Sequence, residues 1–189
     1  LLAIMKLYDK GRFSLTDKIS DYLPFLQRTD KKDITIQEIL LHQSGLPSWI
    51  PFYQEVIDKD SYDGRLFSAR RDAKHLLRIG TTIWLNRSFR KVIEEKIAET
   101  PLRQKRYVYS DIGFILLGML VEQLAEMPME AYLQREFYGP MGLERTGYLP
   151  LRRFAKSEIV PSNKDRFLRK ETLQGFVHDE ASAFFGGLG

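Results

Sequence analysis

Apolar positions crowd into one stretch of this chain. From Ile112 to Ala125 the only strongly polar side chains are Glu122 and Gln123, and a helix apolar on nearly all sides is one buried on most of them. Ser110 sits where an N-cap is needed, and Asp111 brings a carboxylate to the first turn, where the helix dipole favours it. Gly113 and Gly118 weaken the helix, so their expected use is close approach by neighbouring elements. At about 1.5 Å per residue this helix is roughly 24 Å long, the span of a small domain. Just ahead of it, Arg106-Tyr-Val-Tyr109 reads as a short extended segment that delivers Tyr109 to the helix mouth.

Elsewhere the pattern is also mostly helical. Residues 1–10 form the back half of an amphipathic helix closed by Gly11, and residues 17–22 make one helical turn before Pro24. Thr35-Ile-Gln-Glu38 is a capping box opening a helix to Gln43 that Gly45 and Pro47 stop. Residues 49–57 are aromatic and predict a short helix starting near Pro51, 58–64 a loop, and 69–78 a further helix ending at Gly80. Ser88 caps the next one, with Phe89, Val92, Ile93 and Ile97 on one face and the pairs Arg90/Glu94 and Lys91/Glu95 on the other. A helix over 129–137 follows Pro128, and Gly139-Pro140 turns the chain back. Residues 147–174 read as loop, and Phe176-Val-His-Asp-Glu180 as a short strand entering a helical turn. No repeat or hairpin is apparent. The predicted class is mainly α, with the Ser110-capped helix at the centre and little sheet.

Composition narrows the picture further. With 189 residues, 43% of them hydrophobic, the chain can bury a core, and a single domain or a large part of one is expected. Without cysteine there is no disulfide framework and no thiol chemistry, and the redox compartment stays open. Most of the +4 charge lies in residues 65–106. There the basic side chains are interleaved with acids and lack stacking aromatics, so a solvated face is expected and nucleic acid is not. No run approaches the ~18 apolar residues of a membrane span, and no signal peptide is visible. His42, His75 and His178 show no metal-ligand spacing, so neither a metal nor another cofactor is expected. Leu1 is not Met and opens in mid-helix, and Phe184-Phe-Gly-Gly-Leu-Gly189 ends without a polar tail. Both ends are therefore expected to be cut, making residues 1–189 a single truncated domain.

Four segments, in order, resemble the serine β-lactamase and penicillin-binding-protein-like family, in its branch of class C β-lactamases, esterases and D-amino-acid peptidases. Tyr8-Asp-Lys-Gly-Arg-Phe-Ser-Leu-Thr-Asp-Lys-Ile-Ser-Asp-Tyr-Leu-Pro24 resembles the helix end and turn after the nucleophile. Ile39-Leu-Leu-His-Gln-Ser-Gly-Leu46 resembles its Leu-Leu-x-His-x-Ser-Gly-Leu segment, and Tyr138-Gly-Pro-Met-Gly-Leu143 its Pro-Leu-Gly-Met turn. Tyr109-Ser110-Asp111 stands where the family has Tyr-x-Asn. The resemblance implies the helical part of an α+β β-lactamase/transpeptidase-like fold, with most of the antiparallel sheet outside these residues. It also implies small ester, amide or β-lactam substrates and a bacterial envelope or periplasmic location. Val177-His-Asp-Glu180 resembles a segment of exported bacterial members, some fused to other hydrolase domains. The family's Ser-x-x-Lys would fall before Leu1 and its Lys-Thr-Gly or His-x-Gly strand after Gly189. The one spacing match inside, Ser88-Phe-Arg-Lys91, lies on a surface helix, where Ser88 reads better as a cap.

The chemistry expected of the triplet follows from its residue types. A serine alcohol is a poor nucleophile at neutral pH and needs a base. A tyrosine, with a free pKa of about 10, serves only if its phenolate is stabilised by a nearby ammonium or a helix N-terminus. Tyr109 meets the second condition; its alternative is a core aromatic with a satisfied hydroxyl. Asp111 replaces an amide that both donates and accepts with a carboxylate that only accepts, which argues against an efficient β-lactamase and towards another ester or amide; equally, it serves its own helix. Trp49, Phe52 and Tyr53 fit either a substrate-pocket wall or an aromatic core patch. His42 reads as structural, as does His178 beside Asp179. Two functions stand: part of a serine acyl-transfer hydrolase, inactive within these residues alone, or a non-catalytic module binding a cell-wall-like ligand or a protein partner.

Overall fold

A computed structural model describes residues 1–55, 57–58 and 61–186. Among these the helices are α1 (Leu2–Asp9), α2 (Ile19–Tyr22), α3 (Ile36–Leu40), α4 (Phe89–Glu99), α5 (Asp111–Ala125), α6 (Met129–Leu133) and α7 (Glu180–Phe184). The strands are β1 (Ile57–Asp58), β2 (Ser61–Tyr62), β3 (Phe67–Ser68), β4 (His75–Arg78), β5 (Trp84–Asn86), β6 (Pro161–Lys164) and β7 (Thr172–Gln174). They pair antiparallel as β1–β2, β3–β5–β4 and β6–β7. The chain divides into two compact units, one of residues 1–50 and 97–147, the other of residues 51–96 and 148–189.

The first unit is organised around α5. Nine of its residues, from Ile112 to Val121, are buried, and α1, α2, α3 and α6 all pack on it. Gly113 is one reason they can: a Cβ there would lie 3.0 Å from Ile39 Cγ2 on α3, tighter than ordinary contact. At the far end Glu126 takes a left-handed conformation, and Arg12 donates to the Leu124 carbonyl at 2.9 Å, occupying an acceptor the helix leaves open. Helix α3 carries the expected capping box, Thr35 accepting from the Glu38 N–H at 3.2 Å while Glu38 accepts from the Thr35 N–H at 3.0 Å. Helix α1 closes on Gly11, with the Arg12 N–H reaching the Leu7 carbonyl at 3.0 Å. Lys31 is fully buried in this unit, its ammonium 2.6 Å from Asp30 and 3.2 Å from the Ala98 carbonyl, while Asp30 also accepts from the Leu102 N–H.

In the second unit Phe67, Phe89 and Phe184 stack successively, Phe89 meeting Phe184 edge-on at 4.6 Å. Its polar centre is Arg169, whose side chain is fully enclosed. It bonds Asp165 at 2.5 Å and the carbonyls of Val177 and His178 at 2.8 and 2.6 Å. Burial alone would raise the Asp165 carboxyl; the Arg169 side chain, the Phe167 N–H and the Arg169 charge outweigh it and hold it below its usual 3.8. A carboxyl depressed in the folded state contributes stability above its unfolded pKa and loses it as pH falls through the folded value. Arg169→Ala strands a buried carboxylate and two carbonyls, so it should cost about 3 kcal/mol and lower Tm by very roughly 10 °C. Acid titration of thermal unfolding checks the cause: below pH 3.8 the parent should lose a stabilising contribution that the variant lacks already.

Several sequence expectations are corrected. Residues 69–78 are not a helix. The Asp72 carboxylate gathers the N–H groups of His75 and Lys74 and the His75 ring, a local turn that competes with helix, and β4 then pairs with β5. These contacts, the N–H bonds foremost, pull the Asp72 carboxyl down to about 2. The helix expected over 49–57 is one 3₁₀ turn, Phe52–Glu55, with Val56 outside the described residues. The loop expected over 58–64 contains part of the β1–β2 pair, residues 59–60 again being outside. The helix expected over 129–137 is α only to Leu133 and continues as a π turn, Gln134–Tyr138. Residues 147–174 hold two 3₁₀ turns and the β6–β7 hairpin. The strand ends at Gln174 rather than spanning 176–180. The last three residues, part of the expected cut end, lie outside the description.

Candidate active site

The mouth of α5 is held by a second segment of the same unit, residues 42–48. The Val108 N–H donates to the His42 carbonyl at 2.9 Å, the Arg103 N–H to the Gly45 carbonyl at 2.8 Å and the Asp111 N–H to the Ser48 carbonyl at 3.1 Å. The Ser110 N–H donates to Nδ1 of His42 at 3.2 Å. As an acceptor that nitrogen carries no proton, which fixes the imidazole tautomer with its proton on Nε2. Ser110 occupies the N-cap position in extended conformation, yet its hydroxyl caps nothing. Instead it donates to the Pro47 carbonyl at 2.6 Å. The serine is buried, 2% exposed, so this bond satisfies a hydroxyl that would otherwise be costly there.

Gly45 explains how the two segments come so close. It sits at φ +80°, and a Cβ on it would lie 2.5 Å from the Arg103 carbonyl oxygen. A side chain fails there on both counts, conformation and space. His42, itself at φ +55°, turns its ring into an aromatic cluster with Tyr109 at 4.7 Å and Phe114 at 5.5 Å between centroids, and Tyr107 edge-on at 6.3 Å.

The result is a phenol presented outwards from a rigid base. Tyr109 is 58% exposed while the next residue is anchored through both its N–H and its hydroxyl. Asp111 stands in the first turn of the 15-residue α5, whose aligned peptide dipoles place partial positive charge at that end.

Tyr109, Ser110 and Asp111 are therefore together, with unequal parts: a displayed ring, a buried anchor, a first-turn carboxylate. Trp49, 46% exposed, follows directly on the Ser48 carbonyl that holds Asp111, beside the same mouth. Tyr53 is half-buried and belongs to the second unit, next to the buried Phe52. The sequence marks His42 only as structural; in the fold its ring accepts from the Ser110 N–H and so orients the triplet, and its signal lies in the Ser-Gly two residues on. Asp179 caps α7 by accepting from the Ser182 N–H at 2.6 Å, while the His178 carbonyl serves Arg169. Among the described residues no group of three or more His, Asp or Glu is arranged to hold a metal ion. Nor is any single helix there long and apolar enough to cross a membrane.

Comparison with known proteins adds an independent line. A family model described as Beta-lactamase matches residues 1–158. The N-acetylmuramyl-L-alanine amidase of Bacillus subtilis (strain 168) is 32% identical over 203 aligned positions, covering 97% of this chain and 40% of its own length. A putative D-alanyl-D-alanine carboxypeptidase of Salmonella typhimurium is 28% identical over 207, covering 98% and 42%. The chain thus spans about two fifths of the length of these curated relatives. Among solved structures, the octameric penicillin-binding protein homologue from Pyrococcus abyssi superposes with a TM-score of 0.60 at 18% identity, over 93% of this chain and 36% of that one. FmtA from Staphylococcus aureus does so with 0.51 at 20%, over 78% and 34%. At such identities the structural likeness speaks to fold.

Proposed function

This chain belongs to the beta-lactamase family, and from that premise we propose that it supplies the general-base side of a serine acyl-transfer hydrolase. The observation that carries the reading is the exposed Tyr109 phenol held at the α5 mouth by residues 42–48. In the proposed mechanism the serine of a Ser-x-x-Lys motif other than Ser88-Phe-Arg-Lys91 attacks the substrate carbonyl carbon. Its proton passes to the Tyr109 oxygen as the new C–O bond forms. When the tetrahedral intermediate collapses, the phenol returns a proton to the departing nitrogen or oxygen, leaving an acyl-serine that water then cleaves. The motif lysine and the helix end stabilise the phenolate between these steps. Asp111 contributes a carboxylate where the family has an amide, and so holds a facing ammonium protonated rather than donating to a substrate carbonyl. Trp49 contributes wall to the substrate cleft.

Amide bonds of cell-wall-like peptides are the proposed substrates, in keeping with the relatives' names, and the bacterial envelope is the proposed location. We assign both compact units to one domain, the largely helical part of the β-lactamase/transpeptidase-like fold, with most of its antiparallel sheet elsewhere in the whole protein. Two- and three-stranded sheets here and the much greater length of the relatives support that assignment.

Acyl trapping tests the reading. The whole protein, incubated with a fluorescent penicillin and with an activated short-chain ester, should form a covalent adduct that peptide mapping places on the serine of a Ser-x-x-Lys other than Ser88-Phe-Arg-Lys91. Stoichiometric acylation of any serine within residues 1–189 instead would overturn it. So would absence of any adduct or turnover in a protein that carries that motif.

A further inference from the structure

Val108, Asp111 and the Ser110 hydroxyl are tied to the carbonyls of His42, Ser48 and Pro47, acceptors that do not titrate. The Ser110 N–H is different. It ends on Nδ1 of His42 at 3.2 Å, and imidazole is the side chain whose charge ordinarily changes between about pH 5 and 8. With a proton on each nitrogen an imidazolium only donates, so it cannot take that N–H. Turning the ring over puts a carbon in the place of Nδ1 and loses the bond equally. Ser110 is buried and its hydroxyl is already committed, so an N–H released from His42 is left unpaired in the interior unless the backbone moves.

We propose that His42 is a positioning residue for the proton transfer at Tyr109, competent only as the neutral imidazole, so that one proton on its ring unseats the phenol. The ring packs on the residue it serves, 4.7 Å from Tyr109 between centroids. Aromatic faces accept a cation, so the penalty of the charged form falls on the Ser110 bond. Displacing Ser110 moves its neighbour Tyr109, and a misplacement of about 1 Å can cost a reaction 10²-fold. The backbone points the same way. His42 takes φ +55°, a region that glycine or asparagine enters more easily, and strained residues of this kind gather at functional sites. The titratable groups facing the ring are the phenols of Tyr107 and Tyr109. On the same elements stand Arg103, Arg106 and Asp111, and Lys105 paired at 2.5 Å with Glu38 of α3. Replacing His42 tells its proton from theirs. The effect on turnover rests on the acyl-transfer reading; the loss of the Ser110 bond does not.

Nitrogen NMR of the whole protein, with histidine and serine labelled, tests the structural half. At neutral pH Nδ1 of His42 should be unprotonated, and on acidification the Ser110 amide should shift with the same midpoint as the ring. A protonated Nδ1 at neutral pH, or a Ser110 amide that ignores the ring, overturns the proposal. Profiles of kcat and KM against pH test the other half. Below the ring's midpoint the parent's kcat should fall about tenfold per pH unit. His42→Asn puts an oxygen in the place of Nδ1, suits the backbone and takes no proton; it should keep kcat within about tenfold of the parent, and the acid limb should move to lower pH or disappear. His42→Phe keeps a ring without an acceptor, and kcat should drop about tenfold or more at neutral pH with KM little changed. An Asn variant with the parent's limb assigns the proton to another group, and a Phe variant with parental kcat makes the acceptor dispensable; either overturns the proposal. Should a variant fail to fold, the parent's NMR titration decides alone. Tyr109→Phe tells the two failures apart: full turnover there sinks the acyl-transfer reading and the effect on kcat with it, whereas lost turnover beside an unaltered His42→Asn limb sinks only the role of His42.

Discussion

Tyr109→Phe, made in the whole protein, is expected to lower kcat/KM by about 10²- to 10⁴-fold, the usual range for losing a general acid–base group. The exchange removes one oxygen. The ring keeps its place 4.7 Å from His42, and the hydroxyl comes from a residue 58% exposed, so folding should be unaffected. Thermal unfolding of parent and variant should therefore coincide while their turnover separates. A variant within threefold of the parent would remove Tyr109 from the mechanism. Asp111→Asn, measured beside it, restores an amide that can donate. The expected result is a rise in β-lactam acylation relative to ester hydrolysis, and an unchanged ratio would mean that Asp111 serves only its helix.

Gly45→Ala should be the most damaging single change in the first unit. A left-handed φ of +80° costs an ordinary residue about 1 kcal/mol or more. The larger part comes from the added methyl, which meets a backbone oxygen at 2.5 Å rather than the end of a flexible side chain. Relief requires residues 42–48 and 103–111 to part, and with them go the bonds that anchor Ser110 and Asp111. A loss of about 4 to 5 kcal/mol, at the severe end for one substitution, should appear as a fall in Tm well beyond 10 °C. Activity of the surviving folded fraction should fall as well, because the phenol's mount has shifted. Denaturant unfolding read alongside turnover checks both. A variant of parental stability would show that the close approach of the two segments is dispensable.

The elements legible in the sequence share a trait: their reasons are local. Helix α5 declares itself by a long apolar run, α3 by a reciprocal cap, and α4 by a stripe with i,i+4 pairs opposite. The elements missed owe their form to partners distant in the chain or to single side chains. Strand β4 exists because β5 pairs with it and because one carboxylate, Asp72, gathers the N–H groups ahead of it. Strands of two to four residues are too short to show a period of two. Within the candidate site, the placement of Tyr109 ahead of a buried helix was readable from order alone. The destination of the Ser110 hydroxyl was not, because the cap rule gives it a local partner and the fold gives it Pro47, 63 positions away. Gly45 was read as a helix stop, and its sharper reason, an opposing carbonyl, is tertiary.

Buried Lys31 makes one amine of this protein a reporter. Its side chain is 1% exposed, and its ammonium is engaged by Asp30 and by the Ala98 carbonyl, so an acylating reagent or a lysine-directed protease has no access to it in the native fold. Other lysines, such as Lys18, Lys91 and Lys105 with half or more of the side chain exposed, meet reagents directly. The rate at which label reaches Lys31 therefore tracks opening of the joint between residues 30–31 and the end of α4, not surface reactivity. A single mass-spectrometric time course can separate the two classes without any engineered probe.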